Sequence, residues 1–91
     1  MVSYDLVSPG RDYTMLITRI KQMGPWAHLL ESQWLIVTTM TASEVRDDLK
    51  RYIDENDKLV TVDVTADSWA TTFSNNVTAW MKEHVTGRWA A

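Results

Sequence analysis

The sequence predicts an α+β fold, and the order of its strand and helix patterns indicates which one. Apolar residues spaced two apart open the chain, and residues with helical spacing follow them. Two extended runs, a second helix, another strand and a last helix complete the order. Strand, helix, strand, strand, helix, strand is the order of a split βαβ, or ferredoxin-like, sheet with both helices on one face. We therefore expect a ferredoxin-like sandwich with an additional C-terminal helix.

The first strand and the first helix are separated by a break in the pattern. Alternate positions of the strand are apolar: Val2, Tyr4 and Leu6. Pro9-Gly10 interrupts this alternation, and Asp12 stands where a residue that caps the next helix is expected. One face of that helix carries apolar side chains, which are Tyr13, Leu16, Ile17, Ile20 and Met23. Gly24-Pro25 ends the helix.

Two extended segments come next, over residues 26–39. Glu31-Ser32-Gln33 interrupts them, which predicts a short strand, a turn or bulge, and a longer strand. The run Trp34-Leu35-Ile36-Val37 is apolar at every position. A strand that is apolar on both faces is typical of the inside of a sheet.

A second helix and a further strand follow. Thr41-Ala42-Ser43-Glu44 matches a capping box. The helix that it opens directs four apolar residues inward: Val45, Leu49, Tyr52 and Ile53. Residues 54–57 predict a polar turn, and residues 59–64 a strand. We expect the valines at alternate positions of this strand to face the helices: Val60, Val62 and Val64.

The C-terminal third predicts one more helix. Residues 65–74 have no regular pattern, and residues 75–85 have helical spacing. That helix presents Val77, Trp80, Met81 and His84 on one face, and Gly87 is expected to end it. We predict one ferredoxin-like domain over residues 1–85, because two cores would be too small in 91 residues, and a short tail over residues 86–91.

Composition limits the classes of function. The net charge is −3 and the pI is near 5.2, whereas proteins that wrap the nucleic-acid backbone usually carry the opposite sign. A nucleic-acid role must therefore depend on a local basic patch or a metal ion. The candidate cations are Arg11, Arg19, Lys21, Arg46, Lys50 and Arg51, the last three of which are better explained as a solvated helix face. There are no cysteines, which excludes disulfides and thiolate metal sites. No leader pattern or membrane-spanning run is present, so we expect a cytoplasmic location and no membrane partner.

Four short motifs carry a resemblance to a known family. They are Ser3-Tyr4-Asp5-Leu6, Pro9-Gly10-Arg11-Asp12-Tyr13, Glu31-Ser32-Gln33-Trp34-Leu35 and the segment from Asp57 to Val64. The chain resembles the SinR-like small proteins, which are similar to the CRISPR-associated adaptation protein Cas-two. The likeness covers residues 2–85. It implies a ferredoxin-like homodimer that acts on or binds nucleic acid.

The resemblance also implies site residues. In the Cas-two family a Tyr-Asp pair ends the first strand, and its aspartate is the proposed metal ligand of a nuclease site; Asp5 matches it. A serine before an apolar pair opens the third strand of that family, and Ser32 corresponds. Cas-two proteins commonly carry paired arginines soon after the aspartate, whereas this chain has only Arg11. Many of them are non-catalytic adaptors for an integrase.

Metal chemistry at Asp5 would need a second carboxylate. Mg²⁺ or Mn²⁺ takes oxygen ligands, and one carboxylate would hold such an ion weakly. Two copies of Asp5 near a dimer axis could bind one ion and activate water against a phosphodiester. Alternatively, Asp5 caps the turn at Pro9-Gly10 or accepts a backbone hydrogen bond. Asp63 is excluded as a partner within one protomer, because it would lie about 13 Å away along the sheet.

The remaining candidates are phosphate or nucleic-acid contacts. Ser32 would orient a phosphate or the neighbouring loop, and Arg11 would supply positive charge. His28 would be a general base or a nucleic-acid contact, although an edge-strand histidine is more often only solvated. His84 is more readily explained as structural.

The second face of the sheet, opposite the two helices, must pack against another element or another chain. Large aromatic residues in the C-terminal third would either cover it or reach a partner protomer, and we favour the partner contact: Trp69, Phe73 and Trp80. Ser3 and Leu59 would lie on the same face.

Two classes of function remain open. The first is a dimeric protein that acts on or binds nucleic acid, as a metal-dependent nuclease if Asp5 is catalytic. The alternative is a non-catalytic dimeric adaptor or nucleotide-binding module whose groove holds a nucleotide, a nucleic-acid end or a protein.

Overall fold

A four-stranded sheet, three α-helices and a short two-stranded sheet form the part of the chain that the computed structural model describes, which is residues 1–7, 12–64, 68–85 and 88–89. The elements in chain order are β1 (Val2–Asp5), α1 (Thr14–Gln22), β2 (Trp26–Leu30), β3 (Gln33–Ile36), α2 (Ala42–Leu49), a 3₁₀ turn (Lys50–Tyr52), β4 (Lys58–Thr61), β5 (Ser68–Trp69), α3 (Asn75–His84) and β6 (Arg88–Trp89).

The large sheet is antiparallel with strand order β2-β3-β1-β4. This is the ferredoxin-like arrangement, and α3 is the additional C-terminal helix, so the predicted fold class is confirmed. Strand β3 is an inner strand, as its unbroken apolar run predicted. Tyr4 lies opposite Leu59 and Asp5 opposite Lys58, so β4 begins beside the end of β1.

The main core lies between the sheet and helices α1 and α2. Its buried side chains come from the sheet and from both helices: Val2, Leu16, Ile20, Trp34, Val45 and Leu49. Trp34 is the largest of them, and its indole Nε1 donates a hydrogen bond to the Tyr4 hydroxyl at 3.0 Å. A buried indole N–H needs such an acceptor, because an unsatisfied donor would cost free energy.

Both main helices begin with local side-chain hydrogen bonds. The Asp12 carboxylate accepts from the Thr14 backbone N–H at 2.8 Å and from the Thr14 hydroxyl, and these bonds hold its pKa below the usual value. Thr41 and Glu44 form the predicted capping box of α2. Gly24 follows α1 with a φ of 150°, and a Cβ there would lie 1.9 Å from the Val37 carbonyl oxygen.

The predicted orientation of β4 is wrong. The strand ends at Thr61, and Leu59 rather than the valines packs against the main core. Val60, Val62 and Val64 are exposed. The alternating residues of this strand could face the helices in either of two ways. Because Leu59 pairs with Tyr4, Leu59 faces the helices and the valines face the other side of the sheet. The prediction that Leu59 shares the second face with Ser3 is wrong for the same reason.

Helix α3 packs beside β2 on the second face of the sheet. Ala27 and Leu35, which point away from the main core, are buried there, and so is Met81 of α3. The β2–β3 half of this face is therefore covered within the chain. The β1–β4 half carries exposed or half-buried side chains, and we call these residues the open half-face: Ser3, Asp5, Lys58, Val60 and Val62.

Two short strands lie in segments where no strand was predicted. Ser68–Trp69 and Arg88–Trp89 pair in parallel, so part of the predicted tail is bonded to the segment before α3. Two-residue strands are too short to show a period. The predicted helix end at Gly87 lies outside the described residues. None of the helices in the described part of the chain is long and apolar enough to cross a membrane.

Candidate functional site

Asp5 is the last residue of β1, and its side chain is exposed on the open half-face. Lys58 lies directly opposite it on β4. Side chains at opposed positions of antiparallel strands have Cβ atoms about 5 Å apart, so the two side chains leave the sheet side by side, although their charged groups form no ion pair. The two residues border a shallow depression of about 240 Å³ together with Ser3, Tyr4, Leu59 and Val60.

Ser32 lies close to this end of β1. It is half-buried in the turn between β2 and β3, and its backbone carbonyl accepts a hydrogen bond from the Tyr4 N–H at 3.1 Å. Because Tyr4 precedes Asp5, the structure brings Ser32 and Asp5 to the same edge of the sheet.

His28 lies on the other face of the sheet. It pairs with Trp34 across β2 and β3, and its imidazole stacks on the Trp34 indole with ring centroids 3.9 Å apart and planes 5° apart. Its Nε2 lies 3.1 Å from the Glu31 carbonyl oxygen. Since Trp34 faces the helices and Asp5 does not, the sheet separates His28 from Asp5. His28 cannot act as a base at Asp5 within one protomer.

Most of the candidate arginines on the helices are neutralised by carboxylates. Arg19 donates to both oxygens of Asp48, at 2.8 and 2.7 Å, and Arg51 donates to Asp48 at 3.2 Å. The hydrogen bond from Arg19, followed by that from Arg51, holds the pKa of the Asp48 carboxyl below its usual value. Arg46 pairs with Asp47 at 2.9 Å. Arg11, which was expected to contact phosphate, lies outside the described residues.

Metal binding by one protomer has little support. Among the residues described, no group of three or more His, Asp or Glu side chains could hold a metal ion. Asp5 has no hydrogen bond or ion pair with another residue in the described part of the chain, and its neighbour across the strands is the Lys58 cation. The register places Lys58, and not Asp63, beside Asp5. Among the described residues of one protomer, the register therefore places no second carboxylate opposite Asp5.

Asp57 is a buried carboxylate that the sequence did not reveal. It is 9 % exposed, and among the described residues it accepts hydrogen bonds from the Val7 N–H at 2.8 Å, the Asp54 N–H at 2.8 Å and the Tyr13 hydroxyl at 2.7 Å. Its carboxylate thereby joins the end of β1, the start of α1 and the turn before β4. The segment from Asp54 to Asp57 contains four polar residues in a row, a composition typical of a solvated turn. The sequence pattern therefore gave no indication that Asp57 is buried.

A larger groove lies at the opposite end of β1. It has a volume of about 340 Å³ where the ends of β3 and β4 meet α3. Val37 and Val62 line one side, and Trp80 and His84 line another. The two rings stack with centroids 4.4 Å apart, and His84 Nδ1 lies 2.9 Å from the Trp80 carbonyl oxygen. His84 is thus held by a contact within its own helix.

Family models and solved structures were compared with the chain. No protein-family model matches the chain, and no solved structure matches it.

Proposed function

We propose that this protein is a Cas-two-like homodimer that binds nucleic acid, and that its subunits meet through the open half-face. The observation that carries the proposal is the unequal covering of the second sheet face. Met81 of α3 packs over the half that holds Ala27 and Leu35, whereas Val60 and Val62 remain 52 % and 44 % exposed. β4 is also an edge strand, which offers unpaired backbone groups to another strand.

The charges at the end of this surface suit a twofold dimer. In an isologous interface the same patch is used by both subunits, so it must be self-complementary. Asp5 and Lys58 lie side by side, and a twofold operation can set the carboxylate of one subunit against the ammonium of the other. The apolar Val60 would fill the centre of such a contact.

Cleavage is the catalytic form of the proposal, and it has a stricter requirement. The twofold axis would have to bring the two Asp5 carboxylates together, so that they share one Mg²⁺ or Mn²⁺ ion that supplies an activated water. In that arrangement Ser32, at the same edge, would orient the phosphate. Binding without cleavage needs only the dimer.

The first experiment measures solution mass by light scattering over a range of concentrations. Wild type is expected to be dimeric and Val60→Lys monomeric, because an ammonium would be buried at the contact. Thr18→Lys adds the same charge at an exposed position of α1 and is expected to remain dimeric. A wild-type protein that stays monomeric at every concentration would overturn the proposal.

The second experiment tests nucleic acid and metal together. Labelled single- and double-stranded RNA and DNA are titrated with wild type at rising salt, and binding that weakens steeply with salt is expected. The same samples with Mg²⁺ or Mn²⁺, beside Asp5→Asn, report cleavage and metal-induced stabilisation. Cleavage and stabilisation lost in Asp5→Asn would establish the catalytic form. Binding without either would identify a non-catalytic adaptor.

A nucleotide-binding module is the second candidate, because the groove between the sheet and α3 favours it. Its volume of about 340 Å³ lies in the range of small-ligand sites, and the stacked Trp80 and His84 offer a flat surface to a base. Purine and pyrimidine mononucleotides would raise the melting temperature of wild type and of the exposed control Ala79→Ser, but not of Trp80→Ala. No shift with any mononucleotide in wild type would remove this candidate.

A further inference from the structure

A cluster of rings at the outer edge of β2 lies apart from Asp5 and from the groove beside α3. Trp26 and His28 both project from β2 on the side of the helices, and both flank Trp34. The Trp26 and Trp34 rings are 5.5 Å apart and inclined at 58°, and the His28 ring lies flat on Trp34. We call Trp26, His28 and the Lys21 ammonium beside them the ring platform.

The ring platform leaves aromatic surface open to solvent. Trp34 itself is only 2 % exposed, because the other two rings cover it. Trp26, by contrast, is 40 % exposed, and His28 is exposed as well. Trp26 and His28 therefore contact Trp34 with one part of the ring and water with another. The exposed rings on an edge strand therefore form a surface that could accept a further planar group.

The ring platform also has a cation that forms no ion pair within the described part of the chain. The Lys21 Nζ lies 4.8 Å from the Trp26 ring centroid and 5.8 Å from that of Trp34. Among the described carboxylates, none forms an ion pair with Lys21, whereas Arg19 on the same helix is bound to Asp48. Its position over the rings places a positive charge within a side chain's length of any base stacked on Trp26.

We propose that the ring platform is a stacking site for unpaired bases of single-stranded nucleic acid. The aromatic faces complement the π-face that every base presents, and the Lys21 ammonium complements the adjoining phosphate. A single cation beside two rings suits a weak contact that tolerates many sequences, in keeping with the net charge of −3. This inference rests on the proposed nucleic-acid binding and gives it a place outside the dimer surface.

The test is fluorescence anisotropy of labelled oligouridylate and oligothymidylate with the whole protein. Trp26→Ala is expected to weaken binding about tenfold, because loss of one stacking ring has an effect of that order. Trp26→Phe, which keeps an aromatic face, is expected to retain most of the affinity. Leu30→Ala removes an exposed apolar side chain from the same strand and serves as the matched control; its affinity should equal that of wild type.

Variants of Lys21 distinguish a phosphate contact from a structural role of this side chain. Lys21→Ala should reduce the slope of log K against log salt by about 0.7, the value for one phosphate contact on a single strand. Lys21→Arg should restore the slope. A 5-iodouridine oligonucleotide irradiated with wild type should crosslink to the peptide that contains Trp26 and His28.

The outcomes distinguish this inference from the proposed function. If wild type binds no oligonucleotide, the proposed nucleic-acid binding and the stacking site on the ring platform are both overturned. If it binds and Trp26→Ala binds equally well, with crosslinks elsewhere, the ring platform is overturned while nucleic-acid binding stands. If Trp26→Ala lowers the solution mass and leaves oligonucleotide affinity unchanged, the rings belong to a contact between copies of the chain, and the inference is likewise overturned.

Discussion

Asp5 and Asp57 lie at the same end of the sheet and differ in almost everything else. Asp5 is exposed beside Lys58 and has no hydrogen bond to another described residue. Asp57, the residue before Lys58, is buried and accepts hydrogen bonds from Val7, Tyr13 and Asp54. The motif resemblance pointed to the first, and no pattern pointed to the second. The comparison teaches that a carboxylate's role depends on its donors, which sequence spacing does not reveal.

The largest expected effect is at Asp57. Asp57→Ala leaves the Val7 and Asp54 amides and the Tyr13 hydroxyl without this acceptor, and we expect a loss of about 3 kcal/mol in the free energy of unfolding. Tyr13→Phe removes one of the bonds and should cost about 1 kcal/mol. Urea denaturation measures both. An Asp57→Ala variant as stable as wild type would break the comparison.

Substitutions in the covered half of the second sheet face should lower the free energy of unfolding more than substitutions in the uncovered half. Met81→Ala opens a cavity over Ala27 and Leu35, and we expect a loss of about 2 kcal/mol. Val62→Ala, on the open half-face, should change the stability of the monomer by less than about 0.5 kcal/mol. Thermal unfolding of dilute samples checks both. Equal losses in the two variants would show that the open half-face is packed in the monomer.

The contribution of Asp48 to stability is expected to lie between those of Asp57 and Asp5, and it should depend on pH. Its folded pKa is lowered by Arg19 and then Arg51, so its contribution is present above the unfolded pKa of about 3.9 and is lost as pH falls through the lower folded value. Asp48→Asn is expected to melt about 3 °C below wild type at neutral pH. This difference should shrink as the pH is lowered from about 5 to about 2. A difference that stays constant over this range would exclude the ion pair as its source.

The smallest expected effect is at Asp5. Asp5→Asn should change the free energy of unfolding by less than about 0.5 kcal/mol, because the side chain is exposed and bonds no described residue. Chemical denaturation of both proteins in metal-free buffer checks this. A loss above 1 kcal/mol would mean that Asp5 has a structural partner and would weaken its use as a probe of function.

The sequence predicted the elements that depend on local chemistry. The capping box at Thr41, the helix end at Gly24-Pro25 and the buried positions Leu16 and Ile20 all follow from neighbours a few residues apart, and all are confirmed. The orientation of β4 was missed, because alternating valines fit either face and only pairing with β1 decides between them.

The candidate site could be predicted only in part. The exclusion of Asp63 followed from the antiparallel pairing of the first and last strands, which places Lys58 beside Asp5. The approach of Ser32 to the end of β1 depends on the hydrogen bond from the Tyr4 N–H to the Ser32 carbonyl, which the sequence does not reveal. The separation of His28 from Asp5 depends on which face each side chain occupies, which the irregular pairing near His28 hides in the sequence. The burial of Asp57 depends on Tyr13 and Val7, distant along the chain.

The central position of β1 has a consequence for how the chain assembles. β1 precedes both of its sheet neighbours along the chain, β3 at Gln33–Ile36 and β4 at Lys58–Thr61, so it is synthesised before either of them. The β2–β3 hairpin can close early because its contacts are local, but β1 must wait until β4 has left the ribosome before both its edges are paired. A nascent chain that stalls before residue 58 would therefore leave one edge of β1 unpaired and open to pairing with other chains.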